Sequence, residues 1–246
     1  MISPKITGAI ITGIIVVVGV VLIYPALRLD SHNSHAVENQ VLLTFNIINS
    51  TNLPTWCNDL SKFLQDNKIH STIFITGVMA DTYPNCVTSL GNNSDVGSMT
   101  YTYDAITGSH SNFTGQLGKI QQGKAAVDKH GKINSTVFRA PHGIVDDKIF
   151  SLLTRLHIVA DFSSNDHYNI YTNGGSGRIF YKYPISLGNT SDSKFSVKDP
   201  KIPMMVNFYN YDSISKIKDF VNSASKNPHQ FVTTSELIRN TVQSNS

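Results

Sequence analysis

The chain has 246 residues, of which 40% are hydrophobic and 15% are charged, and its formal net charge is +3. This length and composition fit a folded protein with one sizeable core. The small positive charge, which includes no dense run of Lys or Arg, argues against a nucleic-acid partner.

An uncharged apolar segment lies near the N-terminus, at residues 6–27, with Lys5 before it and Arg28 after it. As a helix it would reach about 33 Å, enough to cross the ~30 Å hydrocarbon core of a bilayer. The alternative is a cleaved signal peptide, but the apolar run is too long and residues 24–27 offer no convincing cleavage site. We therefore predict a short cytoplasmic N-terminus (1–5), a transmembrane anchor (6–29), a linker (30–39) and a globular domain (40–246).

The globular domain alternates between short apolar runs and segments with helical spacing. Strands are predicted at 40–45, 71–76, 94–97, 135–139, 157–160, 202–208 and 231–233. Helices are predicted at 55–67, 79–90 with an interruption near Pro84, 114–129, 146–156, 213–224 and from 235 onward. About seven strand–helix units in this length favour a barrel or a partly closed barrel, with any chemistry at the C-terminal ends of the strands.

Two short segments have simple structural interpretations. Asp146 and Asp147 directly precede an apolar helical run, where the helix dipole favours negative charge, so we expect a helix start and not a catalytic carboxylate pair. The glycine-rich stretch at 174–177 lacks the lysine and hydroxyl residue of a phosphate-binding loop, so we expect a flexible turn.

Several motifs, taken in order, resemble those of the NodB-homology polysaccharide deacetylases. They are the strand at 71–77, Tyr83-Pro84, Asp95-Val-Gly97, Arg139-Ala-Pro-His-Gly143 and the tail at 230–237. The resemblance runs from about residue 41 to residue 238. It implies a distorted (β/α)7-type barrel, here preceded by one transmembrane helix, and an activity that removes acetyl groups from N-acetylated sugars with a divalent metal.

The positions that carry this chemistry in the family are replaced. Where the family has T-F-D-D, supplying the base and then a metal ligand, this chain has Thr44-Phe45-Asn46-Ile47. Its H-[ST]-x-x-H ligand pair corresponds to Met99 and Tyr103, and its L-x-H acid corresponds to Asn207. An amide is not a base, an aliphatic group binds no metal, and a thioether or a phenol with pKa near 10 is a poor zinc ligand.

We therefore expect no catalytic residue, no metal ligand and no cofactor at these five positions. The resulting hypothesis is a pseudoenzyme that binds glycan or serves as a subunit of a membrane complex. The alternative is an active carbohydrate deacetylase, a hydrolase of non-peptide C–N bonds, with zinc or a similar divalent metal at a rearranged site. Candidate ligands for such a relocated site are His110, His142, His167, Asp104 and Asp166.

Two functional positions of the family, Arg139 and Asp166, are retained, and in active members they orient the base. One interpretation is a structural ion pair beneath the pocket. The other is a binding rim for sugar or a partner, made of Arg139, Pro141, His142, Asp166 and His167.

Two features support export of the domain. Cys57 and Cys86 fall on neighbouring predicted helices, which favours a disulfide over two free thiols. Glycosylation sequons begin at Asn49, Asn92, Asn112, Asn134 and Asn189. We expect a single-pass cell-membrane protein whose globular domain is extracytoplasmic, with membrane lipid at the anchor and cell-envelope glycan or other membrane subunits as partners.

Overall fold

The computed structural model describes residues 38–107, 112–174, 177–190, 199–226 and 229–244. The predicted anchor at 6–29, and the predicted linker up to residue 37, lie outside these ranges. Within the described ranges, no helix combines the length and the apolar composition that crossing a bilayer requires.

The described strands form one mixed sheet in the order β7-β6-β5-β4-β3-β2-β1-β9-β8, with β10 also paired to β1. Their bounds are β1 Gln40–Ile47, β2 Ser71–Ile75, β3 Ser94–Ser98, β4 Val137–Phe138, β5 Ala160–Asp161, β6 His167–Gly174, β7 Gly177–Pro184, β8 Ser186–Leu187, β9 Met204–Tyr209 and β10 Gln230–Val232. The sheet curves into a near-closed barrel with helices packed around it.

The described helices follow the predicted positions closely. They are α1 Leu53–Asp66, α2 Gly77–Thr82, α3 Pro84–Leu90, α4 Phe113–Gly131, α5 Asp147–Arg155, α6 Ile214–Ala224 and α7 Thr234–Ser244. Pro84 begins α3, because a proline lacks the N–H that a continued helix would need but suits a first helical turn. Asp146 caps α5 by accepting a hydrogen bond from the Ile149 amide at 3.0 Å, which confirms its interpretation as a helix start.

The sheet departs from a regular (β/α)7 barrel in one region. Strands β1 to β5 and β9 pair in parallel, whereas β6 pairs antiparallel with both β5 and β7. This hairpin was not predicted, and Gly174 and Gly177, which were assigned to a flexible turn, are its last paired residues. The predicted strand–helix alternation had no element at residues 167–184, and the structure has two antiparallel strands there.

Strand β1 is buried on both faces, and its alternation separates two parts of the core. Val41, Leu43, Phe45 and Ile47 belong to a cluster that includes apolar residues of α1, α3 and α6. Leu42 belongs to a different cluster, which contains Phe74 of β2, Met99 directly after β3, and Met205 of β9. Because successive side chains of a strand point to opposite faces, the first cluster packs under the helices and the second fills the barrel.

Cys57 on α1 and Cys86 on α3 form a disulfide, with their Cα atoms 5.4 Å apart. The predicted pairing is thus present in the structure. The bond closes a loop with a sequence separation of 29, which in the chain-entropy model stabilises the fold by about 3–4 kcal/mol.

Candidate functional site

A polar groove of about 920 Å³ lies at the C-terminal ends of the parallel strands. Its lining comes from β9, from the loop after β3, and from the loops after β4, β5 and β8. The lining side chains include Tyr103, Arg139, His142, Asp166, Asn207 and Tyr209. This is the edge of the barrel where the sequence placed the candidate site.

Arg139 lies at the base of the groove and is only 5% exposed. Its Nη1 donates a hydrogen bond to Asn207 Oδ1 at 2.7 Å and contacts Met205 Sδ at 3.4 Å. The guanidinium also lies over the Phe74 ring, 5.9 Å from its centroid. Asn207 Oδ1 is shared, because the Thr44 hydroxyl donates to it at 2.5 Å. The partners of this buried cation are therefore neutral.

Asp161, the residue that ends β5, is the buried carboxylate near Arg139. Its carboxylate accepts hydrogen bonds from the Ser163 hydroxyl at 2.5 Å and the Ser163 amide at 3.2 Å, and from Asn169 Nδ2 at 3.4 Å. Burial raises the pKa of Asp161 to about 6, although these bonds and the charge of Arg139 oppose the rise. The Ser163 hydroxyl also accepts from the Ala140 amide at 2.8 Å, so Asp161 helps to hold the Arg139 loop in place.

The expected ion pair between Arg139 and Asp166 is not formed. The Asp166 side chain is 83% exposed and is bonded to the Ser164 hydroxyl and to His167. Asp166 lies in a bend at residues 165–166, whereas Asp161 ends β5 and is fully buried. The predicted ion pair is therefore wrong, and the earlier aspartate, Asp161, acts on Arg139 only at longer range.

The two positions at the end of β1 are both fully buried. Asn46 Nδ2 donates to the Phe208 carbonyl at 3.0 Å, and its Oδ1 has no hydrogen-bond partner among the described residues. Ile47 packs in the helix-facing cluster with Phe45. This strand end therefore offers a buried neutral amide and an aliphatic group, with no negative charge.

The two positions after β3 are equally unsuited to a metal. Met99 is 1% exposed and packs inside the barrel. The Tyr103 hydroxyl accepts a hydrogen bond from the His142 amide at 3.4 Å, and its ring lies 4.6 Å from the His142 ring. Burial, and then the neighbouring Tyr209, raise the pKa of Tyr103, so its phenol stays protonated at neutral pH. A zinc-like ion prefers imidazole, thiolate or carboxylate, and this donor set does not fit it.

The candidates for a relocated metal site do not come together within the described part of the chain. His110 lies outside that part. Asp104 accepts a hydrogen bond from the Thr102 hydroxyl at 2.6 Å, and Asp166 is paired with His167. No cluster of three His, Cys, Asp or Glu side chains suited to a metal is present among the described residues.

The predicted binding rim is only partly assembled. Arg139, His142 and Asp166 line the groove, whereas Pro141 is buried and His167 is outside the lining. His142 and Gly143 both have positive φ, of 60° and 71°, which shapes the tight turn after Arg139.

Sequence analysis missed an aromatic pair next to the groove. Tyr209 lines the groove, and its ring stacks on that of Tyr211 with centroids 5.1 Å apart and an interplanar angle of 5°. Tyr211 is 61% exposed. The period-2 alternation of β9, which places Asn207 and Tyr209 on one face, was the signal that could have identified Tyr209.

The predicted glycosylation sites differ in their surroundings. Asn92, Asn112 and Asn134 are exposed, and Asn189 is exposed at the groove. Asn49 is half-buried and accepts a hydrogen bond from Asn210 at 2.9 Å. Modification of these residues stays a prediction.

Comparison with known proteins places the fold. A family model described as "Polysaccharide deacetylase" matches residues 33–160. Comparison with curated protein sequences gives no match.

Solved structures match most of the chain at low identity. Peptidoglycan deacetylase PdaC from Bacillus subtilis, in a mutant form, has a TM-score of 0.60 at 16% identity, over 85% of this chain and 95% of that chain. A family 4 carbohydrate esterase from Bacillus anthracis has a TM-score of 0.61 at 11% identity, over 82% and 84%. A family 4 pseudoenzyme from Bacillus anthracis has a TM-score of 0.59 at 12% identity, over 82% and 66%. At such identities these structures establish similarity of fold alone.

Proposed function

The chain belongs to the polysaccharide deacetylase family, and we propose that it is a non-catalytic member that binds glycan in the cell envelope. Residues 6–29 would hold it in the membrane, with the barrel on the extracytoplasmic side. Its partners would be membrane lipid at the anchor and a carbohydrate chain in the groove.

One observation carries the non-catalytic part of this proposal. The five strand-end positions hold an amide, an aliphatic group, a thioether, a protonated phenol and a second amide: Asn46, Ile47, Met99, Tyr103 and Asn207. Hydrolysis of an acetamide needs a base to deprotonate water and a metal or equivalent to polarise water and carbonyl. None of these side chains supplies either function.

The shape and lining of the groove support retained binding. It has the volume of a small-molecule site, and it combines aromatic rings with fixed polar groups. Tyr103 and Tyr209 offer ring faces and hydroxyls, while Asn207 is held in place by Arg139 and Thr44. Such a mixture suits a sugar, which presents hydroxyls along its edge and C–H groups on its faces.

A precedent for loss of activity exists on this fold. One structural match is described as a pseudoenzyme, and another is a mutant of that protein with restored enzymatic activity. The fold therefore persists in a protein without the activity, as we propose for this chain.

The test uses the full chain purified in detergent. We expect less than one tenth of an equivalent of zinc or similar metal by mass spectrometry, and no acetate release from N-acetylated oligosaccharides with or without added zinc. We expect binding of oligosaccharides by calorimetry, with at least tenfold weaker binding after Tyr209→Ala. Tyr181→Ala is the control, because it makes the same substitution on another strand, β7, at an exposed tyrosine outside the groove lining.

Two results would overturn parts of this proposal separately. Stoichiometric metal together with acetate release would establish the alternative, an active deacetylase with a rearranged site. Absence of binding to every glycan tested, in a folded protein, would remove the binding role. Membrane-protein subunits that co-purify in place of glycan would then identify the other kind of partner.

A further inference from the structure

The guanidinium of Arg139 has more hydrogen-bond donors than the described residues use. It presents five N–H groups, and its two contacts with Asn207 Oδ1 and Met205 Sδ both involve Nη1. Nε and Nη2 have no hydrogen-bond partner among the described residues. Neither nitrogen belongs to the polar atoms of those residues that are both unpartnered and completely buried. Since Arg139 lines the groove, these free donors are accessible from it.

The charge of Arg139 also has no direct partner in the part of the chain that the structure describes. Among the described residues, no carboxylate oxygen lies within 4.0 Å of it, as the ion pairs found there involve other residues. Asp161 acts on it only at longer range, and its oxygens are engaged by Ser163 and Asn169. A buried cation is costly unless it is paired, so this arrangement favours an anion that arrives from outside.

The rest of the groove offers little competition to such an anion. The amides of Asn46 and Asn207 and the phenol of Tyr103 are neutral at this end of the barrel. Asp166 is the acidic lining residue, but its side chain is 83% exposed and is paired with His167. Water and this partner screen its charge from an incoming anion.

We propose that the groove is specific for acidic sugars, with a ligand carboxylate bound by the free Nε and Nη2 donors of Arg139. This inference rests on the proposed glycan-binding function and names its ligand class. A guanidinium edge matches the two oxygens of a carboxylate, which gives a bidentate contact in a partly dehydrated setting. The sugar ring would then extend past Asn207 toward the Tyr209–Tyr211 stack.

The experiment compares two ligands that differ only at the carboxylate. Oligosaccharides containing glucuronate, and the same oligosaccharides after reduction of the carboxyl to a primary alcohol, are titrated into the full chain in detergent. We expect the acidic form to bind at least tenfold tighter. Because the change is made in the ligand, this comparison does not depend on a variant that folds.

A variant then assigns the preference to one side chain. Arg139→Gln removes the charge, and we expect the ratio of its affinities for the acidic and the neutral ligand to fall to about one, whatever the affinity for the neutral ligand becomes. Arg155→Gln is the control, because Arg155 lies at the exposed end of α5 and is outside the groove lining. Folding of each variant is checked by circular dichroism and thermal unfolding.

The outcomes separate this inference from the function on which it rests. Equal binding of the acidic and neutral ligands would overturn the acidic preference and leave glycan binding standing. Binding of neither would overturn both. A preference that persists in folded Arg139→Gln would exclude Arg139 as its source, and acetate binding as tightly as the acidic oligosaccharide would show a site for simple carboxylates and not for sugars.

Discussion

The buried carboxylate of Asp161 shows how one residue links the core to the groove. It accepts hydrogen bonds from both the hydroxyl and the amide of Ser163, and Ser163 in turn accepts from the Ala140 amide. Arg139 directly precedes Ala140. The position of the guanidinium at the base of the groove therefore depends on a carboxylate that is itself fully buried.

The raised pKa of Asp161 gives a pH dependence with a definite sign. Its pKa is about 6 in the folded protein against 3.8 in the reference state. The stabilisation that the protonated Asp161 side chain gives to the folded state is therefore complete below about pH 3.8. It is lost as the pH rises through about 6. Between pH 5 and pH 7 we expect the wild type to lose about 1 kcal/mol of unfolding free energy relative to Asp161→Asn. Urea denaturation of both proteins at the two pH values measures this.

The control for this measurement is Asp59→Asn, because Asp59 is exposed on α1 and its replacement should leave the pH dependence of the wild type unchanged. Parallel pH dependences for the wild type and Asp161→Asn would contradict the assignment, since the carboxylate would then titrate alike in the folded and unfolded states.

Residue roles were predictable from the sequence only where side-chain chemistry alone decides them. Asn46 and Ile47 lack the required groups in any conformation. The choice between Asp161 and Asp166 depended on which carboxylate lies under the loop, and spacing in the sequence does not encode that. Asp161 directly follows the predicted strand at 157–160, and this position was the available signal.

At the scale of elements, Gly143 fixes the turn that follows Arg139. Its φ of +71° lies in the region that side chains disfavour, and a Cβ there would be 2.7 Å from the Ser163 carbonyl oxygen. Gly97 on β3 is constrained differently, because a Cβ there would be 2.6 Å from the Phe74 ring, the ring under Arg139. Both glycines of the recognised motifs thus serve packing at the base of the groove.

Substitution of Gly143 tests this requirement. We expect Gly143→Ala to destabilise the protein by about 1–3 kcal/mol, because it combines a disfavoured backbone conformation with a backbone clash. Gly118→Ala is the matched control, since Gly118 lies inside α4 with no atom within 4 Å of the added Cβ. We expect that change to stabilise by about 0.5–1 kcal/mol. Thermal unfolding measures the stability of both variants. Equal changes in stability for the two substitutions would exclude a special role for Gly143.

Elements were predictable where hydrophobic periodicity was strong and local. The predicted ends of strand β1 and helix α1 differ from the observed ends by no more than two residues. A continuous apolar run marks the strand, and helical spacing of apolar residues marks the helix. The β6–β7 hairpin was missed, since its strands mix tyrosines with polar residues and its antiparallel pairing interrupts the expected strand–helix alternation. Pairing between segments is a tertiary property that local patterns do not specify.

For the whole molecule, the combination of an intact barrel and altered strand ends has a simple physical basis. The apolar clusters on both faces of the sheet stabilise the fold. Ile47 and Met99 now add buried apolar surface to those clusters. Apolar side chains at these two positions therefore contribute to the stability of the barrel.

The membrane anchor is the prediction that concerns the molecule as a whole. Residues 6–27 carry no charge, and as a helix they match the thickness of a bilayer core. We expect the full chain to remain in the membrane fraction after high-salt and alkaline washes and to be released by detergent.

Ile14→Arg with Val17→Arg should shift the chain to the soluble fraction, because each central arginine costs about 2.5–3.5 kcal/mol on insertion. Ile14→Leu with Val17→Leu is the control, which keeps the segment apolar and should keep the protein in the membrane. A wild-type chain that washes off without detergent would contradict the anchor, and the barrel would then need another route to its proposed glycan at the cell surface.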